Sequence, residues 1–154
     1  MRWITREKVK VDRVACPWLL KNFVDLEAEF IFLLDDTDWS KIDTGIVFDV
    51  PNCELGHHSD VSFNSILKKY KLTDPALVLL GEIVRATDSH PTNPHPAGEG
   101  LRWIAGGFSA LRLNDHEILE CQFVVYDVLY AECKCRLLNL ERYAHTAMKS
   151  CVFG

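Results

Sequence analysis

The stretch FDVPNCELGHHSD, residues 48–60, gathers Asp49, Glu54, His57, His58 and Asp60 within thirteen positions. Borderline divalent cations favour imidazole beside carboxylate, and a loop between a strand and a helix lets such ligands converge. Glu54 and His57 are three apart, so one turn of chain can bring both to the same ion. The simpler alternative is a polar surface loop with an incidental His-His pair, because short motifs of this kind recur by chance.

Three further groupings carry chemistry. Glu82, Arg85 and Asp88 fall at i, i+3 and i+6 of one helical face, and Asp88 stands beside the loop that carries His90 and His95. That location suits a metal or an anion, and an ordinary surface ion pair is the competing reading. His116 precedes Glu120 by one turn, with Asp127 further along among Val124, Val125, Tyr126, Val128 and Leu129. A carboxylate in such surroundings must be paired, protonated or metal-bound, and pairing with Arg85 or Arg102 is the plain solution. Finally, Asp12-Arg13 precedes a predicted helix whose free N–H groups and positive end, with the planar Arg13 fork, suit an oxyanion. Equally, Asp12 would cap that helix while Arg13 pairs with an acid. Cys16, between Ala15 and Pro17-Trp18, reads as a buried inert thiol.

Placing these groups needs a scaffold. Arg2–Thr5, Phe30–Leu34 (FIFLL) and Ile46–Val50 (IVFDV) read as short strands, the latter two apolar enough to be covered on both faces. VDRVACPWLLKNFVD suggests a helix, with Asp12 or Cys16 near its start and Pro17 in its first turn. From Ser62 the period turns helical: Phe63, Ile66, Leu67 and Tyr70 share one face behind Ser62 as N-cap. Asp74-Pro75 starts the next helix, and residues 89–100, with three prolines and two glycines, form a loop. A helix resumes at Leu101 and contains Gly106-Gly107, which suggests a closely packed backbone or ligand. Asn114 to Glu117 is a capping box. The helix behind it is apolar on nearly every face and is expected in the core, followed by a last amphipathic helix using Leu140, Tyr143, Ala144, Ala147 and Met148. The predicted class is α+β: about three strands packed with four or five helices, mostly helical, in one domain spanning 1–154.

Composition sets limits on function. Of the 154 residues, 48% are hydrophobic and 25% charged, as in an ordinary globular domain. No apolar run is long enough to span a membrane, and the basic N-terminus lacks the apolar segment of a secretory signal. Six cysteines occur without a CxxC pair, which points to reduced thiols and a cytoplasmic location. The net charge is −5, with no basic stripe, so direct nucleic-acid binding is not expected. Charge is uneven: residues 25–60 hold ten acids and one lysine. GxGxxG, Walker, GxSxG, HExxH and zinc-deaminase patterns are all absent.

In order along the chain, WITREKVKVDRVACPWLL, FDVPNCELGHH, SFNSILKKYKLTDPAL, EIVRATD and NDHEILE…YDVLYAEC resemble the C-terminal domain of the chromate-resistance protein ChrB family. The resemblance runs from Trp3 to about Cys133. The winged-helix-like region of full-length members falls outside it, so repression of DNA is not expected of these residues alone. The family's polar positions fall on Asp12, Arg13, Glu54, His57, Arg85, Asp88, Asp115 and His116. Ala86-Thr87 replaces the more common Gly-Ala, and His58 stands where members vary.

The resemblance implies a role in chromate resistance or chromate sensing. Combined with the residues, it gives a metal- and/or oxyanion-binding domain. Glu54, His57, Asp88 and His116 are the expected ligands of a divalent metal ion (zinc, manganese or iron), and Arg13 and Arg85 meet a small oxyanion such as chromate. The alternative is a metal-dependent, hydrolase-like enzyme using the same pocket. A chromate reductase is disfavoured, since no flavin or nicotinamide fingerprint supplies electrons. A third class is a partner-binding or self-associating domain, a homodimer included, with Trp39 and Trp103 as contacts.

Overall fold

The computed structural model describes the backbone of residues 1–152 and the side chains of residues 1–140. Tyr143, Ala144, Ala147 and Met148 therefore lie outside the described side chains.

Three strands form a parallel sheet in the order β2-β1-β3, with β1 at Arg2–Arg6, β2 at Glu29–Leu33 and β3 at Ile46–Val47. The central strand is the least apolar of the three in sequence, yet Trp3, Ile4 and Thr5 are all buried, so β1 is the strand covered on both faces. The FIFLL strand is instead a half-buried edge. β3 is only two residues long, because Asp49 takes φ 49° and turns the chain out of the extended form. Register is set by Trp3 opposite Phe30 on one side and Ile46 on the other.

Helix α1 (Asp12–Phe23) crosses between β1 and β2. Val11 rather than Asp12 is its N-cap residue, and Pro17 lies in the second turn, where the missing N–H leaves the Arg13 carbonyl without its helical donor. α2 (Ser62–Lys69) begins with Ser62 as its first residue, not its cap. α3 (Pro75–Asp88) starts as the sequence signals, with the Asp74 carboxylate accepting from Ala76 N–H at 2.8 Å. α4 (Ala97–Ala110) starts four residues before Leu101, where His95 Nδ1 accepts the Ala97 N–H at 3.1 Å.

α5 runs unbroken over Asp115–Val152, about 57 Å of helix, in place of the two helices predicted there. No glycine or proline interrupts residues 115–152, so nothing forces a break. Its capping box forms as read: Glu117 N–H donates to Asn114 Oδ1 and Asn114 N–H to Glu117 Oε2. The apolar character of its first half does not put it in the core. Ile118, Leu119, Gln122, Tyr126 and Cys133 are buried, while Val124 and Val128 face outward.

The core gathers Trp3, Phe48 and Tyr70 over the sheet, and Trp18, Phe23, Tyr126 and Tyr130 between α1 and α5. α3 packs against α4 and α5, and Gly98 is where α3 and α4 touch: a Cβ there would stand 2.6 Å from Ala86 Cβ. Gly106 and Gly107, by contrast, have open space around them. No helix among the described residues is long and apolar enough to cross a membrane.

Candidate functional site

The site forms beyond the carboxyl ends of β1 and β3, where the chain has gone to one side of β1 for β2 and to the other for β3. Open parallel sheets place ligands at such a crevice, because connections leave in opposite directions and expose the strand ends. Its first component depends on strain. Val11 takes φ 48° and ψ −101°, an arrangement that costs a β-branched residue about 1–3 kcal/mol. It is buried, and its carbonyl accepts from Val14 and Ala15 N–H and from the Tyr126 hydroxyl at 3.2 Å. The turn at Val11 directs the next carboxylate, Asp12, into the protein.

Asp12 is 1% exposed and accepts from Ser62 N–H at 2.6 Å, Phe63 N–H at 3.0 Å and the Cys16 thiol at 3.2 Å. A carboxylate on α1 thus caps the first turn of α2, whose own N-cap, Val61, has no side-chain acceptor. Burial first, then the nearby carboxylates Asp49 and Asp88, push Asp12 up to about 8, against the hydrogen bonds from Cys16 and Phe63 that lower it. Burial, then Asp12 and behind it Asp49 and Asp88, raise the Cys16 thiol, which fits the inert reading.

Asp49 accepts from the Ser62 hydroxyl at 2.7 Å and lies 3.4 Å from Arg13 Nε. Burial raises its carboxyl, while Ser62 and Arg13 hold it down. Arg13 also donates to the Glu7 carbonyl, and burial followed by the charge of Arg6 lowers its guanidinium. The chain then closes a tight loop: Asp49 N–H bonds to Leu55 O, and a Cβ at Gly56 would lie 2.9 Å from Val50 O and 3.0 Å from Cys53 O. Only glycine allows that closure, after which His57 emerges with Nε2 3.4 Å from Asp88 Oδ2 at the end of α3. His58 is tied back to Cys53 O at 2.7 Å.

Asp12, His57 and Asp88 each offer a donor atom, and these atoms all lie within 4.8 Å of one another. Donors around a tetrahedral ion bound at about 2.1 Å sit roughly 3.4 Å apart, so modest side-chain rotation closes the set. Two carboxylates and an imidazole suit zinc, manganese or iron. Next to this trio is a cleft of about 230 Å³ lined by Arg6, Asp49, Asn52, His57 and His58 among others. Arg6 reaches Asp35 through Nη1 at 3.2 Å, while its Nε is a buried donor without a partner.

Of the residues singled out by spacing, His57 and Asp88 come together and Arg13 stands near them. Glu54 is exposed and pairs with Lys69. His116 is exposed on the first turn of α5, its ring edge-on to Phe32 with centroids 5.0 Å apart. Arg85 is exposed in a separate groove with Lys68, Lys71 and Asp60. Asp127 finds Trp18 Nε1 at 2.8 Å rather than an arginine. Sequence reasoning placed Asp12 at a helix start and among the family's polar positions, outside the metal ligand set, and did not single out Arg6. The usable signal was strand polarity: Arg6 ends β1, at the carboxyl edge where parallel sheets bind ligands.

The family described as ChrB, C-terminal domain, matches residues 3–133. The chain is also similar to Protein ChrB of Cupriavidus metallidurans, at 33% identity over 131 residues, covering 84% of this chain and 40% of that protein. The chain thus spans well under half the length of that relative. No solved structure matches it.

Proposed function

Because the chain belongs to the ChrB C-terminal domain family, we propose that it acts in chromate resistance by binding a divalent cation through Asp12, His57 and Asp88 beside an oxyanion cleft lined by Arg6. One observation carries this reading: three donor atoms from three distant segments lie within 4.8 Å of one another. Isolated buried carboxylates are expensive, and the charges of Asp49 and Asp88 add to burial in raising the proton affinity of Asp12, as Asp88 does for Asp49. A cation relieves that repulsion directly. Glu54 and His116 are not part of this ligand set, and Arg85 is not part of the cleft.

The test is metal analysis of the full chain purified without a histidine tag, followed by titration with zinc and manganese. Bound metal is expected near one equivalent per chain, and His57→Ala and Asp88→Ala each weaken binding by about 100-fold, the upper end of what losing even an outer-shell partner costs. Binding unchanged in both variants would remove the reading.

A second reading, a metal-dependent hydrolase, is favoured by one feature. Three protein ligands would leave a coordination position for water, and Asp49, held by Ser62 and Arg13 near the trio, is the carboxylate that would take its proton. Turnover of phosphoesters or small acyl substrates by the manganese-loaded chain, lost in Asp49→Asn, is the expected sign of it.

A further inference from the structure

We propose that cation and oxyanion binding are one coupled event: the cleft holds a tetrahedral dianion at Arg6 only after a divalent cation occupies Asp12, His57 and Asp88, and the dianion completes that cation's coordination. This rests on the cation reading above.

Charge makes the first argument. Both guanidiniums already have acidic partners: Arg6 Nη1 is 3.2 Å from Asp35 and Arg13 Nε 3.4 Å from Asp49. Asp88 acts on Arg13, on Asp49 and on Asp12 alike. Arg6 and Arg13 against Asp35, Asp49 and Asp88 already leave the balance negative, before Asp12 is counted. A dianion gains nothing from such a cleft. A divalent cation at the trio adds two positive charges at short range and turns the same cleft anion-attracting.

Geometry makes the second. His57 belongs both to the cation trio and to the cleft wall, so a cation held there borders the cleft. Asp12 directs its oxygens to Ser62, Phe63 and Cys16, and the protein supplies three ligands in all, leaving a fourth position. Arg6 also lines the cleft, and its Nε is a buried N–H donor without a partner. Buried donors of that kind are uncommon in a finished structure, and an anion oxygen satisfies this one. The class that fits bridges a metal and a guanidinium, as sulfate, molybdate and chromate do.

Isothermal titration of the full chain tests the coupling. Sulfate is the probe, because chromate oxidises thiols and this chain has free cysteines. Sulfate is titrated into chelator-stripped protein and into manganese-saturated protein, corrected for manganese–sulfate association measured without protein. Manganese is expected to tighten sulfate binding by about tenfold or more, and saturating sulfate to tighten manganese binding by the same factor, as linkage requires. Arg6→Gln is expected to abolish that gain, with circular dichroism as the fold control. Equal sulfate affinity with and without bound manganese overturns the coupling and leaves the cation reading standing. Failure of manganese and zinc to bind at all overturns both. A gain that survives in Arg6→Gln places the anion elsewhere and also overturns the proposal.

Discussion

Two surfaces of this molecule depart from what stability alone favours, and in opposite directions. At the sheet's carboxyl edge, the carboxylates of Asp12 and Asp49 are buried and the backbone is bent into positive φ at Val11 and Asp49. On the outer face of α4 and α5, apolar side chains stay in water: Trp103 is 77% exposed, Val124 58% and Val128 64%. The first departure converges, because its hydrogen bonds and charges all bear on one crevice. The second is spread along two helices and around glycines with open space beside them. Convergence of polar groups against an energetic penalty points to a ligand, whereas scattered exposed apolar residues are common on any surface.

The sharpest way to break that contrast is Asp12→Ala. It strips the acceptor from two buried N–H groups at the start of α2, so the metal-free chain should lose about 2–4 kcal/mol, read from the urea midpoint. Asp12→Asn retains an acceptor and should lose clearly less. A neutral Asp12→Ala would show the edge is no more constrained than the rest of the surface.

A smaller effect tests the other region. Gly98→Ala pushes a methyl into Ala86 and should destabilise by about 1–3 kcal/mol. Gly107→Ala meets nothing within 4 Å and should stabilise by about 0.5–1 kcal/mol. Thermal melts moving in the same direction for both would contradict this account of α4.

The smallest effect is pH-linked. Burial and the neighbouring acids hold Asp12 up at about 8, far above an ordinary carboxylate. The folded chain therefore keeps a proton that the unfolded chain has released. That stabilisation is fully present below the ordinary carboxylate value and is lost as pH rises through about 8. Between pH 7 and 8 the metal-free chain should weaken, by no more than about 1.4 kcal/mol for this one proton. Saturating manganese should flatten or reverse the trend, since the metal binds the ionised form. Urea midpoints at the two pH values, with and without manganese, decide it.

Much of the framework was legible in advance because its signals are local. Asp74-Pro75 and the Asn114–Glu117 box act within four residues, and both helix starts form where they were read. The burial of β1 was not legible, since RWITR carries arginines at both ends and owes its coverage to neighbours distant in sequence. The glycines were misjudged for the same reason. Gly98 and Gly106 look alike in sequence, and only the position of α3 makes one crowded and the other free.

The sequence by itself determined the class of fold, the residue types able to hold a cation or an oxyanion, and the family motifs that carry them. Tertiary structure alone decided that Asp12, His57 and Asp88 meet while Glu54 turns to Lys69 and His116 to Phe32. The reason is that helix caps and periodicity act over a few residues, whereas a ligand set depends on where separate elements end in space. Here that placement follows from a strained turn at Val11, a glycine-closed loop at Gly56 and the last turn of α3.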